Sequence, residues 1–398
     1  MFRLTIGFGR KSTFLIILII TIIFPVLISL LFSLLYPTSS ISLLTNNNII
    51  NNLSSSYSLF LGITTSFYNK LYNATTHSSA NNAYFKRTFF NSAFNASSNS
   101  SGSSSSNFAN NTISAFNYKV SVAYQPKDRS DPIYEKVLVA KNSPTGEDNY
   151  FINQRESNDL FCGVADGVGG WIEMGEDSSA ISRELCSKLS EFSNKDKFSS
   201  TTKQLLIESF NEVVKEGVVK AGSTTCIAAH LKPNGELEVS NLGDSWCGVF
   251  RNDSLVYHTN FQVLSFNAPY QLSIIPKYIL DSAKTKGSGF IRNTPEEADD
   301  YKFQLMKNDV VILATDGVTD NVDTGDLANF LRDNEISTKT QSQENLDRIT
   351  KDLVGKTVAL SKDPQFPSIF SQELSKITGA NYVGGKEDDI TLVLVKVE

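Results

Sequence analysis

Asp and Glu are absent from the first 127 of the 398 residues, so the net charge of −6 arises entirely downstream. Before position 118 the only basic residues are Arg3, Arg10, Lys11, Lys70, Lys86 and Arg87, which leave the front of the chain positive. The acidic remainder argues against nucleic acid as a partner of the folded part. Histidine is scarce: His77, His230 and His258 are too scattered for a zinc site or for a Ser-His or Cys-His nucleophile pair. Cysteine is scarce as well. Cys162, Cys186, Cys226 and Cys247 show no paired spacing and sit in apolar runs, where a free thiol behaves as a small hydrophobe, so a disulfide scaffold is excluded. Aliphatic residues are few between 46 and 117, a tract of mostly Ser, Asn, Thr, Phe and Tyr with too little to bury, which predicts disorder there.

One long uncharged run is present. Residues 13–36 (TFLIILIITIIFPVLISLLFSLLY) reach the ~20 residues needed to cross a bilayer as a helix. Pro25 would break a helix in water but is tolerated in lipid as a kink. A buried core helix and an export signal are the rival readings. The apolar part of a signal spans about 7–15 residues before a small-residue cleavage site, so length favours a membrane span. Arg3, Arg10 and Lys11 precede the run, which holds the N-terminus on the cytoplasmic or matrix side. The same Arg-bearing, Ser-rich, acid-free front also reads as a mitochondrial address. The expected organisation is a basic N-terminus at 1–12, a transmembrane helix at 13–36, a Ser/Asn-rich disordered linker at 37–117 and one globular domain at 118–398. Two destinations stay open: a mitochondrial membrane or matrix, and a single-pass protein of the nuclear envelope or endoplasmic reticulum.

Within the domain, residues 160–165 form an apolar run ending in Asp166-Gly167, as a buried strand does when it delivers a side chain to a site at its end. Residues 310–314 repeat the arrangement before Asp316-Gly317. Further strands are expected at 224–231, 236–242, 246–250 and 391–397. Turn chemistry such as Pro233-Asn234-Gly235 and Arg251-Asn252-Asp253 makes them hairpins of an antiparallel sheet. After Ser178-Ser179 as caps, Ile181, Leu185, Leu189 and Phe192 recur every three or four residues and predict a helix. Leu206, Phe210, Val213, Val214 and Val218 predict a second, Leu346, Ile349, Leu353 and Val354 a third, and Ile369, Leu374 and Ile377 a shorter fourth. Central strands with helices packed outside give an α+β architecture.

Four acidic islands set in glycine carry the chemistry: Gly146-Glu147-Asp148, Asp166-Gly167-Val168-Gly169-Gly170, Asp316-Gly317 and Asp388-Asp389. Carboxylates held close together repel, and a multivalent cation lets all of them stay ionised. Gly167 lets its own carbonyl approach an ion and suits the backbone of a sharp strand exit. Oxygen ligands from separate strands suit two Mg²⁺ or Mn²⁺ ions. Two such ions about 3.5–4 Å apart lower the pKa of a bridging water and hold a phosphoryl group for in-line attack, which points to metal-activated phosphoester hydrolysis. A lone Asp-Gly pair is usually only a turn; the ordered set is what counts.

Asp166-Gly167-Val168-Gly169-Gly170-Trp171, Gly222-Ser223-Thr224-Thr225, Asn241-Leu242-Gly243-Asp244-Ser245, Leu313-Ala314-Thr315-Asp316-Gly317-Val318 and Asp388-Asp389-Ile390-Thr391 together resemble the successive motifs of the metal-dependent type-2C (PPM) serine/threonine protein phosphatases. The segment Phe266-Asn267-Ala268-Pro269-Tyr270-Gln271-Leu272 resembles that family's mitochondrial branch. The resemblance implies a four-layer α-β-β-α sandwich with two central antiparallel sheets, and phosphorylated proteins as substrates, of mitochondrial metabolism if the branch holds. It implies Asp166 as the ligand bridging two Mn²⁺ or Mg²⁺ ions, with the Gly167 carbonyl and Glu147 on one ion and Asp316 and Asp388 on the other. Asp148 would orient water beside them, and Asp244 would hold a weaker third ion. Trp171 would shape the adjacent loop or belong to the core.

The sequence departs from the family pattern at several positions. Val168 stands where many relatives have a histidine proposed to protonate the leaving alcohol, which predicts slow turnover on alkyl phosphoesters. The phosphate-gripping arginine that many relatives carry upstream of Glu147 has no clear counterpart, and Lys141 and Arg155 are the nearest candidates. Thr319 and Asp389 are tolerable exchanges. Residues 284–293, rich in Gly, Ser and Lys, are expected to be a mobile loop with substrate contacts or an ordinary surface excursion. Beside the enzyme stand two alternatives: a pseudophosphatase scaffold, against which the retained acids argue, and a membrane-tethered small-molecule phosphatase.

Overall fold

The computed structural model of the protein describes residues 116–195 and 201–398. The basic stretch at 1–12, the span at 13–36 and all but the last two residues of the linker lie outside the described residues. Among those described, no helix is long and apolar enough to cross a membrane. The last two linker residues are part of the fold. Phe116 packs on the central core, and Asn117 exchanges backbone hydrogen bonds with Glu398 at 2.9 and 2.8 Å, so the linker expectation is corrected there.

In chain order the strands are β1 Tyr118–Gln125, β2 Asn149–Glu156, β3 Asp159–Ala165, β4 Gly222–Thr224, β5 Cys226–Leu231, β6 Glu236–Leu242, β7 Trp246–Arg251, β8 Ser254–His258, β9 Val263–Ser265, β10 Ala268–Pro269, β11 Leu272–Ile274, β12 Asp299–Gln304, β13 Val310–Ala314 and β14 Ile390–Val397. One five-stranded sheet has the order β1-β14-β13-β7-β8 and a second the order β12-β6-β5-β3-β2. All pairings within both are antiparallel. The principal helices are α1 Ala180–Ser193, α2 Thr202–Glu216, α3 Lys277–Thr285, α4 Thr324–Asp333, α5 Gln343–Ser361 and α6 Ile369–Thr378.

Successive side chains of a strand face opposite ways, and here each face finds a different apolar layer. Along β14, Ile390, Leu392 and Leu394 point at α4 and α5, whereas Val393, Val395 and Val397 meet the other sheet. In β3, Leu160, Cys162 and Val164 face between the sheets and Phe161 and Ala165 face α1 and α2. Both faces are covered, which is why these strands read as unbroken apolar runs. The order of layers is helices, sheet, sheet, helices. All four cysteines are buried and free, and burial pushes the Cys162 and Cys226 thiols up to about 12.

The helical stripes need three corrections. Val214 and Val218 are exposed, because α2 ends at Gly217 in a left-handed turn and presents Leu205 to the core in their place. Ile377 of α6 is exposed too, and only Ser371 of that helix is buried. Ser178 and Ser179 do not cap α1 through their side chains. Ser179 instead donates to Asp177 and Ser178 to Glu147. Residues 284–293 form a largely exposed surface excursion that is tied down at two points. They begin inside α3, Phe290 stacks on Trp171 at 5.6 Å, and Asn293 accepts from the Gln271 backbone at 3.1 Å.

Candidate metal centre

The register of the two sheets brings the acids together. Asn149 opposes Ala165, so Asp148, just before β2, and Asp166, just after β3, emerge at one end of the second sheet. Ala314 opposes Leu392, so Asp316, just beyond β13, and Asp388-Asp389, just before β14, emerge at one end of the first. The Thr315 hydroxyl donates to the Asp148 carboxylate at 2.8 Å and ties the two ends to each other. Strand ends of stacked sheets thus converge on a rim built from four distant stretches of chain.

Glycine is required at two points of the rim by close approach. A Cβ on Gly167 would stand 2.4 Å from the Glu147 carbonyl oxygen, and one on Gly317 would stand 2.1 Å from that of Asp389. The left-handed backbone belongs to Gly146, at φ +82°, and not to Gly167, which serves by its missing side chain alone.

The acids fall into two groups. Glu147 and Asp389 are buried and satisfied. Glu147 accepts from Arg129 at 2.9 Å, Tyr134 at 3.1 Å and Ser178 at 3.0 Å, and its backbone N–H donates to Asp389 at 2.8 Å. Arg129 also donates to Asp389 at 2.9 Å. Burial and then the Glu147 charge push Asp389 up to about 8. Glu147 itself, against the burial that opposes its charge, is held far below the usual carboxylate range by Asp389, Lys127 and Arg129.

The second group is open towards the rim. Burial, then Asp316, Asp148, Asp388 and Asp244, push Asp166 well above the usual range. Asp244 is pushed up to about 8 by burial and by Asp316 and Asp320, and its Oδ1 finds no partner. Asp148 is buried, and its Oδ1 likewise has no partner.

The candidate cations Lys141 and Arg155 do not join this cluster. The Lys141 ammonium pairs with Glu135 at the surface. Arg155 pairs with Asp159 at 2.6 Å, beside the turn of the β2–β3 hairpin. That turn is six positions along β2 from the acidic end, or about 20 Å at ~3.3 Å per residue, so Arg155 cannot grip a phosphate there. The described histidines are also elsewhere: His230 pairs with Asp159 at 2.7 Å and His258 meets the Thr259 carbonyl at 2.8 Å.

A family model described as Stage II sporulation protein E (SpoIIE) matches residues 156–398. Over 289 residues the chain is 55% identical to "Protein phosphatase 2C homolog 7, mitochondrial" of Saccharomyces cerevisiae, covering 71% of this chain and 83% of that one. The chain belongs to the PP2C-type protein phosphatases. This phosphatase is also 35% identical over 257 residues to "Protein phosphatase PTC7 homolog fig" of Drosophila virilis, covering 64% of the chain and 78% of the relative. Its fold matches the photosystem II phosphatase PBCP at a TM-score of 0.56 and 25% identity, over 71% of this chain and 99% of that chain. It is a metal-dependent serine/threonine phosphatase of this family, which works with Mn²⁺ or Mg²⁺.

The residues present fit such ions. Every donor at the rim is a hard oxygen, the acids crowd one another's charge, and buried carboxylate oxygens of Asp148 and Asp244 lack partners. Among the described residues, no three His, Cys, Asp or Glu side chains are grouped around one point. Two ammonium groups of the phosphatase stand between the acids. Lys127 contacts Asp388 at 2.9 Å and Glu147 at 3.3 Å. Lys386 contacts Asp316 at 2.6 Å, Asp320 at 2.5 Å and Asp388 at 3.3 Å.

Sequence reasoning missed Lys127, Arg129, Tyr134, Ser178 and Lys386. Lys386 could have been noticed two residues before Asp388. Lys127 and Arg129 carry no such local mark; they reach the site because β1 pairs with β14, which places the segment after Gln125 beside Asp388-Asp389.

Proposed function

We propose that the phosphatase hydrolyses phosphoserine and phosphothreonine in mitochondrial proteins, using two divalent ions held by Asp166, the Gly167 carbonyl, Asp316 and Asp388. The observation carrying this reading is the convergence, at one rim, of carboxylates from both sheets, Asp166 from one and Asp316 and Asp388 from the other. Bound there, Mn²⁺ or Mg²⁺ supplies the positive charge that holds a phosphoryl group and makes water a nucleophile. Asp148, fixed by Thr315 and with one oxygen free, orients that water by accepting its proton in a hydrogen bond. Glu147, engaged by three side-chain donors, buttresses the Gly167 turn and Asp389 the Gly317 turn, while Asp244 offers a further oxygen for a weaker third ion. The mitochondrial assignment rests on the 55% identity to the yeast relative named as mitochondrial and on the acid-free front, and attachment to a membrane rests on the apolar run at 13–36.

The test is hydrolysis of a phosphoserine peptide by full-length protein. Turnover is expected to require Mn²⁺ or Mg²⁺, to stop with chelator and to be lost in Asp166→Ala. Undiminished turnover by folded Asp166→Ala would end this reading. Import of the full chain into isolated mitochondria, followed by carbonate extraction, tests location; recovery wholly outside the organelle would refute it.

A further inference from the structure

Lys386 is the cation most closely set among the open acids. Its ammonium bridges Asp316, which follows β13, and Asp388, which precedes β14, and it also contacts Asp320. It is largely shielded from solvent, with 15% of its side chain exposed. Two further partners lie within its reach: the Asn267 amide oxygen is 3.5 Å away and the centre of the Phe370 ring is 5.2 Å from the ammonium. Phe370 is in turn packed against Phe266, at 4.9 Å. The side chain therefore has within reach, besides the two rim acids, a third carboxylate, an amide and an aromatic ring.

A dication bound by Asp316 and Asp388 would hold their oxygens at about 2.0–2.2 Å and could not share them with an ammonium of like charge at hydrogen-bond distance. The long flexible lysine stem allows the ammonium to move without the backbone. Asp320, Asn267 and Phe370 would continue to satisfy it after such a move.

We infer that Lys386 is a tethered counter-ion, which holds Asp316 and Asp388 together in the metal-free phosphatase and swings onto Asp320, Asn267 and the Phe370 face when a divalent ion loads. This inference rests on the reading of Asp316 and Asp388 as ligands. Lys386 thereby sets metal affinity as a positioning residue. It offsets the repulsion between Asp316 and Asp388 and weakens binding of the ion that displaces it.

Mn²⁺ binding to the full-length protein, by titration calorimetry, tests this with wild type, Lys386→Met and Lys386→Arg, and with Asp166→Ala as the reference for a damaged site. Lys386→Met should bind Mn²⁺ about tenfold more tightly, which is ~1.4 kcal/mol, and should melt at a lower temperature in chelator. Lys386→Arg should keep affinity near wild type. In wild type alone, acetylation of Lys386 by an amine-reactive ester, read by mass spectrometry, should rise when Mn²⁺ is added; this measurement needs no variant to fold. Equal or weaker binding by folded Lys386→Met overturns the inference, as does Lys386 reactivity that is unchanged or falls with Mn²⁺. Failure of wild type to bind Mn²⁺ any better than Asp166→Ala would instead sink the metal reading, and the inference with it.

Discussion

The Thr315 hydroxyl makes one of the direct bonds between the two sheets at the acidic rim, and Thr315→Val removes it while keeping the side chain's shape. Thr315 is fully buried, donates to Asp148 at 2.8 Å and accepts from the Thr391 backbone at 3.0 Å. Asp148 already has one unpartnered oxygen, so the substitution strips its other oxygen of this donor in a site closed to water. Leaving such a buried group unsatisfied costs about 1–3 kcal/mol. With an unfolding entropy of about 2.1 cal/mol/K per residue, a domain of this size loses about 2 °C of melting temperature per kcal/mol, so a loss near 2 kcal/mol lowers the midpoint by about 3–4 °C. Calorimetry of wild type and Thr315→Val in chelator measures this directly, because the bond needs no ion. In the presence of Mn²⁺ the variant should also lose phosphopeptide turnover more than substrate affinity, since Asp148 would no longer be oriented. A midpoint within about 1 °C of wild type, with full turnover, would refute the claim that this bond ties the rim.

Gly167→Ala places a Cβ 2.4 Å from the Glu147 backbone oxygen, and displacing backbone costs about 1–3 kcal/mol; both the melting midpoint and Mn²⁺-dependent turnover should fall, and retention of both would show that the turn is looser than drawn. Arg129→Met leaves the buried Glu147 and Asp389 only the more distant Lys127 ammonium, at 3.3 and 3.9 Å, a loss of up to about 3–5 kcal/mol by denaturant unfolding, whereas Arg155→Met should leave turnover near wild type because that arginine serves Asp159. Lys396 is fully buried against the Asn308 and Ser337 carbonyls, and burial lowers its pKa to about 8, below its unfolded value. Between about pH 8 and the unfolded lysine value of roughly 10.4 the unfolded chain binds more protons, so this group makes stability rise with pH in that window, by up to about 3 kcal/mol. Lys396→Met should remove that rise and be the more stable protein at pH 7; unfolding curves across the window decide it, and parallel curves for the two proteins would refute it. His230→Gln should leave the pH–rate profile unchanged, since His230 lies at the Asp159 end of its strand; a vanished limb would show that it takes part in proton transfer.

Much of this protein was already determined by its sequence, and the reason is local contiguity. The strands β3, β13 and β14 lie buried between a helical layer and the opposite sheet, so each appears as an apolar run, and the acid that leaves its end stands next to it in the chain. Asp166, Asp316 and Asp388 were legible for that reason, together with the close-approach glycines beside two of them. The stripes of α1 and α5 were legible because burial repeats with the helical period, and the same rule failed for Val218, where a left-handed turn ended the helix first.

Tertiary structure decided which charges meet. Whether a lysine or arginine reaches the rim depends on strand pairing over hundreds of residues, and nothing near Lys127 or Arg129 signals that β1 will lie against β14. Nearness in sequence to Glu147 misled for Lys141 and Arg155, since a strand carries a side chain away from its own end at ~3.3 Å per residue. The division of the acids into a satisfied pair, Glu147 with Asp389, and an open set around Asp166 follows from burial and donor count, which exist only once both sheets are stacked.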